Sequence, residues 1–194
     1  MPKPKTIYVT NDQSVCGSKK VLETGIGKEK GVGGAVVFIQ GPVPGGKRLS
    51  LPSLVIDQRG CEFVPHTLLV PVGIPVTVQN SDATLHNFHT AGKVNPPTNR
   101  AQSGGSAPIP FVFQKPEIFS VGCDVHPWMQ AWIVVAEHAY YALSNEEGNF
   151  SMADIPAGAY TLKLWHEFLG EQQKKVTVRE GETTSVEYIL ELKN

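Results

Sequence analysis

A thiol, an imidazole and a thioether fall within seven residues of this chain, in Cys123-Asp124-Val125-His126-Pro127-Trp128-Met129, and a second imidazole, His86, lies upstream. Two imidazoles and a thiolate in a trigonal plane, with a weak axial thioether, are the ligand set of a blue-copper electron-transfer centre. Such a set keeps nearly the same geometry in Cu(I) and Cu(II), as fast one-electron exchange requires. The thiol must ionise to bind, so affinity falls at low pH. Cys123, His126 and Met129 on one loop, with His86 donated from a distant strand, is how a β-barrel closes such a site. The cofactor expected is one copper ion.

His86 has a competitor in His89, three residues on. If this segment is a strand, the two side chains point to opposite faces, so only one can meet the Cys loop. His86 is the reading adopted. Asn87 is expected to tie its segment to the Cys loop by hydrogen bonds, and Asp124 to lie beside the thiolate. The ring edge of His126 is expected at the surface as an electron port, with Pro127 and Trp128 around it. A redox protein partner would dock there through a small, weak interface.

The elements that must hold these groups read as strands. Glycine (19) and proline (15) punctuate short apolar runs. Expected strands cover Ala35–Gln40, Ser53–Ile56, Thr67–Pro71, Pro75–Gln79, Phe111–Phe113, Glu117–Val121, Ala131–Ala136, Tyr160–His166, Lys175–Arg179 and Thr184–Glu191. Many alternate in period two, as in Pro75-Val76-Thr77-Val78-Gln79, and no segment shows a long helical period. That pattern predicts an all-β protein, a sandwich or barrel. Lys93–Pro110 reads as the main irregular loop. Gly31-Val32-Gly33-Gly34 precedes a strand and lacks the Lys-Ser/Thr of a phosphate loop, so it reads as a turn.

Bulk properties agree. The chain has 194 residues, 41% hydrophobic and 18% charged, with a net charge of -1. That suits one large or two small folded domains and argues against disorder. No basic stripe points to nucleic acid, and no apolar run reaches the roughly 18 residues of a membrane span. The first residues lack the apolar core of a signal peptide, so the chain either stays inside the cell or starts at a trimmed mature end. With Cys123 taken as a ligand, Cys16 and Cys61 remain to pair. A disulfide there would imply an oxidising compartment. No Ser-His-Asp set, zinc motif or pair of apposed carboxylates is legible, so hydrolysis has no support and the chain reads as a carrier, not an enzyme. The alternatives are a copper enzyme or sensor with an open coordination position, and a copper carrier or interaction module.

The stretch from about Leu51 to Glu137 resembles the cupredoxins, most closely the amicyanins among plastocyanin-like proteins. The matching residues are Val72-Gly73-x-x-Val76-Thr77-Val78-x-Asn80, His86-Asn87-Phe88-His89 and Cys123-x-x-His126-Pro127-Trp128-Met129. The two-residue spacing between His126 and Met129 is the short amicyanin-like loop. The resemblance implies an eight-stranded Greek-key sandwich and one type 1 copper, with His86, Cys123, His126 and Met129 as ligands. It also implies single-electron transfer and an extracytoplasmic, periplasmic location. Asp124 stands where the family usually has a small or uncharged residue, and Val125 replaces a common Pro. Both bear on the potential.

The flanks resemble a carboxypeptidase regulatory-like β-sandwich, through Asn145-Glu146-Glu147-Gly148-Asn149-Phe150 and Pro156-Ala157-Gly158-Ala159-Tyr160. The expected layout is a cupredoxin domain at 46–137 inserted into a smaller sandwich made of 5–45 and 138–194, with Cys16–Cys61 stapling host to insert. Tandem domains are the alternative. His66 reads as structural, with a second metal ligand as the sharper option; His138 and His166 also read as hydrogen-bonded structural groups, with a second metal site of His138, His166 and Glu167 as the alternative.

Overall fold

The computed structural model describes residues 4–22, 31–48, 51 and 54–191. The described chain is β throughout, apart from one helical turn at Gln13–Cys16, and divides into two compact units. The larger comprises Lys5–Leu22 and Ser50–Glu137; the smaller holds Met1–Pro4, Glu23–Leu49 and His138–Asn194.

Two sheets face each other in the larger unit. One has the order Ile109–Val112, Pro75–Asn80, Val55–Gln58, Phe63–Val64. The other runs Thr67–Pro71, Gln130–Ala136, Glu117–Gly122, His86–Thr90, Asn99–Gln102. Period-two alternation turns Val76 and Val78 inward from the first sheet, and Val121, Ile133 and Val135 from the second. Together with Ile56, Phe88 and Phe119 they form one core, where the Phe63 and Phe88 rings meet edge to face at 6.3 Å. Two strand pairs are parallel: Trp132 lies opposite Thr67, and Val55 opposite Thr77. Parallel neighbours cannot be joined by a tight hairpin, so these pairings carry the crossovers of the sandwich.

Several expected strands fall where the alternation placed them, including Thr67–Pro71 and Glu117–Gly122. Ser53, at the start of one expected strand, lies outside the described residues. Lys93–Pro110 is not one irregular loop, since it holds the strand Asn99–Gln102 and the start of Ile109–Val112. Asn99–Gln102 is an edge strand with three exposed residues, so no apolar alternation marks it.

The smaller unit has one four-stranded antiparallel sheet, ordered Tyr141–Leu143, Val36–Ile39, Gly158–His166, Gly170–Val178. Thr184–Glu191, expected as a strand, joins no ladder. Its alternation is nonetheless real: Val186, Tyr188 and Leu190 pack on the sheet's core of Val37, Ile39, Leu162 and Leu164. Side chains hold it there, with Gln172 Nε2 donating to the Ile189 carbonyl (2.6 Å) and the Tyr188 hydroxyl to that of Leu162 (2.7 Å). At the Gly31–Gly34 turn, a Cβ on Gly31 would collide with the Glu147 backbone, so close approach requires the glycine there.

Lys5–Leu22 departs from the expected layout. Lys5–Tyr8 and Lys19–Leu22 form a two-stranded hairpin around Gln13–Cys16, and it belongs with the larger unit. Val9, Val15 and Cys16 join the larger unit's core. Cys16 and Cys61 are disulfide-bonded, so the bridge lies within that unit and does not link it to the other.

Candidate metal centre

Cys123 follows directly on the strand Glu117–Gly122, and His86 opens the strand His86–Thr90 beside it; Val121 pairs with Thr90 and Gly122 with His89. The loop from Cys123 returns through His126 to Met129, whose N–H closes a turn on the His126 carbonyl at 2.9 Å. Cys123 carries no disulfide and is buried, as are His86, His126 and Met129.

The donor atoms converge. His86 Nδ1 and His126 Nδ1 are 2.9 Å apart, and Cys123 Sγ lies 4.0 Å from each. Met129 packs in the same core cluster as Cys123. His89 points the other way, 47% exposed, as strand geometry requires for a residue three positions on.

Each imidazole is pinned from behind. His86 Nε2 meets Asp82 Oδ2 at 2.9 Å, and His126 Nε2 meets Asp12 Oδ2 at 3.0 Å. A carboxylate only accepts, so these bonds assign the ring proton to Nε2 in both histidines. A neutral ring with its proton on Nε2 presents a lone pair at Nδ1. Two lone pairs facing each other at 2.9 Å repel unless a proton or a metal cation lies between them. The donor set therefore fits a metal ion, and a thiolate with two imidazoles fits copper among the soft-ligand metals.

Electrostatics favour a neutral ring at His86. Burial, the largest influence on His86, disfavours its charged form; Asp82 works against this, and the net pKa is lowered. Burial pushes the Asp82 carboxyl up, but the N–H groups of Cys61, His86 and Gly60 outweigh it and hold it below the usual range. Gly60 (φ 62°) and Cys61 (φ 55°) are both left-handed, which aims two successive amides at Asp82, each at 2.7 Å.

Asn87 joins the two ligand segments. Its Oδ1 accepts from the Asp124 amide at 2.7 Å, and its Nδ2 donates to Asn99 Oδ1 (2.6 Å) and Asp124 Oδ2 (3.0 Å). Asp124 lies at the surface, where bonds from His89 and then Asn99 hold its carboxyl below the ordinary value.

One expectation is overturned. The ring of His126 is 0% exposed, so its edge is no surface port. The Lys5–Leu22 hairpin covers it: Asp12 caps Nε2, Cys16 Sγ lies 3.8 Å from the same nitrogen, and Val15 packs into the core with Val125 and Trp128. Trp128 Nε1 donates to the Cys61 carbonyl at 3.1 Å, and Pro127 is exposed. Asp12 and Asp82 were missed from sequence. Asp82 left a faint signal, a polar turn four residues before His86; Asp12 left none, being 114 residues from its partner.

Elsewhere, histidines hold backbone. His138 Nε2 bonds the Gly41 carbonyl (3.0 Å) and its Nδ1 accepts from the Tyr140 amide (3.2 Å), while His166 Nδ1 accepts from Phe168. Among the described residues, the side-chain groups that could hold a metal draw on Cys16, Cys61, Asp82, His86, Cys123 and His126, not on His138, His166 or Glu167.

Comparison with known proteins returns copper proteins by structure. A Cu-containing nitrite reductase from Thermus scotoductus SA-01 overlaps 48% of this chain at 25% identity and a TM-score of 0.41; the overlap spans 24% of that chain's length. A purple cupredoxin from Nitrosopumilus maritimus overlaps 43% of this chain and all of its own, at 22% identity and a TM-score of 0.38. Amicyanin from Paracoccus versutus overlaps 52% of this chain and 97% of its own, at 11% identity and a TM-score of 0.40. By sequence family, residues 118–186 match polysaccharide lyase family 4, domain II. That match begins in the larger unit and ends in the smaller. The carboxypeptidase regulatory-like family expected for the flanks is not the one that matches. No curated protein matches the chain.

Proposed function

We propose that this protein is a type 1 copper protein that carries single electrons between redox partners. His86 Nδ1, His126 Nδ1 and Cys123 Sγ would hold the ion, with Met129 as the further ligand. The observation that carries this reading is the pair of Nδ1 atoms facing each other at 2.9 Å while both Nε2 atoms are committed to carboxylates. A bound copper ion supplies a one-electron couple there. The chain's own residues do the rest. Asp82 and Asp12 fix each ring's tautomer and plane, Asn87 locks the Cys123 loop to the His86 strand, and the surrounding apolar core excludes water. Rigid donors move little between oxidation states, which keeps exchange fast.

His89 bonds Asp124 and gives no support to an open-site enzyme. The Cys16–Cys61 bridge fits an oxidising compartment such as a periplasm, and a redox protein is the partner class. The Ser50–Glu137 part of the larger unit is best read as an insertion in the smaller, with Lys5–Leu22 preceding it.

The test is the visible and EPR spectrum after one equivalent of Cu(II), then ascorbate. An intense blue band with narrow hyperfine splitting, bleached by ascorbate and absent from Cys123→Ser, is expected. A pale spectrum with ordinary splitting, unchanged in Cys123→Ser, would reject the assignment.

A further inference from the structure

We infer that the Lys5–Leu22 hairpin is a clasped cover over the metal centre, and that Asp12 on it is a positioning residue for His126. The metal-related part rests on the copper reading; the cover itself does not.

The hairpin has few ties of its own. Its two four-residue strands pair only with each other, from Lys5–Leu22 to Tyr8–Lys19. An isolated two-stranded ribbon is marginal in water. Besides the packing of Val9, Val15 and Cys16 on the core, three covalent or polar links among the described residues hold it to the sandwich. The Cys16–Cys61 disulfide is one, and Lys20, which donates to the Gly60 carbonyl and to Glu62 (3.1 Å), is the second. The third is the bond between Asp12 and His126. All but one of these land on the turn Gly60–Glu62, the same turn whose amides hold Asp82 behind His86. One short turn thus anchors the cover over one histidine and the carboxylate behind the other.

Asp12 is shaped for this task. It is left-handed (φ 54°), and its carbonyl accepts from Val15 (2.9 Å) and Cys16 (2.8 Å), which points its carboxylate away from the helical turn and at the ring. A side chain 40% exposed therefore reaches a nitrogen on a ring that is 0% exposed. With Nε2 capped, His126 turns its lone pair to the centre. With the edge sealed, metal entry and exit require the cover to open.

The experiment compares wild type, Asp12→Asn and Asp12→Glu as full chains, in two states. In the metal-free state, nitrogen-15 NMR reads the His126 ring. Wild type should show the Nε2–H tautomer with slow solvent exchange, and Asp12→Asn should lose that protection, with Asp12→Glu restoring part of it. In the copper-loaded state, transfer to a Cu(I) chelator and the reduction potential are followed. Asp12→Asn should weaken retention by roughly 10–100-fold, the usual effect of removing a partner behind a ligand histidine. It should also raise the potential, because an anion behind the ligand favours Cu(II). A His126 ring proton that exchanges freely in wild type would overturn the proposal, whether or not copper binds. So would an Asp12→Asn protein with unchanged retention and potential. Failure of wild type to bind copper, with His126 still Nε2-protonated and protected, would sink the copper reading while supporting the cover.

Discussion

The two histidines of the candidate centre lie in unlike surroundings. Behind His86 stands Asp82, itself buried and held by two amides of the adjacent turn. Behind His126 stands Asp12, 40% exposed, on a hairpin whose main tie is covalent. The first arrangement is built into the sandwich. The second is brought to it by a remote stretch of chain and latched in place. A buried carboxylate whose oxygens accept from three N–H groups is costly to disturb, whereas an exposed one is cheap to remove and matters mainly for what it orients.

The largest effect should come from the latch. Replacing Cys16 and Cys61 by alanine should lower unfolding free energy by about 4 kcal/mol in the chain-entropy model for a loop of this length. Urea titration checks the loss. NMR should then show His126 losing ring protection while His86 keeps it, and equal loss at both rings would break the contrast between the two sides. Next comes Asp82→Ala, which strands two amides and an imidazole N–H in a buried setting. It should cost about 2–4 kcal/mol and, unlike the latch variant, disturb His86 first, as read by the same titration and spectra.

Glu117 supplies a reference away from the histidines. It begins the strand that leads to Cys123 and accepts the amides of Lys93, Val94 and Asn95. Burial raises its pKa, but those amides outweigh burial and hold it below the ordinary glutamate value. A depressed folded-state pKa means stability that is complete above the unfolded value and is lost as pH falls through the folded one. Glu117→Gln should therefore lose about 1–2 kcal/mol at neutral pH and show a shallower stability loss as pH falls through and below the ordinary glutamate range. Denaturation midpoints across that range test the sign. The smallest effect on stability is expected for Asp12→Asn, below about 1 kcal/mol. A larger loss in thermal unfolding would mean that the cover is held by Asp12 and not by the disulfide.

How much of this was legible follows from distance along the chain. Cys123, His126 and Met129 sit within one loop, and period-two alternation predicted the strands on either side, because each residue's burial there is set by its immediate neighbours. The pairing of Cys16 with Cys61 was open to arithmetic on three cysteines. Two things were hidden. Asn99–Gln102 is a polar edge strand that carries no apolar signal. The hairpin Lys5–Leu22 is short and mostly exposed, and its partner lies more than a hundred residues away, so nothing local tells that it ends over His126. The expectation of an exposed ring edge failed for that reason: it took the loop by itself, without the segment that covers it.

The small unit's sheet has a different dependence. Its second layer is partly supplied by Thr184–Leu190, a stretch with no ladder bonds of its own, whose Val186, Tyr188 and Leu190 cover Ile39, Leu162 and Val176. A single proteolytic cut just before that stretch would remove no strand, yet it would strip the apolar face. A freshly uncovered sheet face of this kind is adhesive, so clipping would show itself as self-association before any strand was lost.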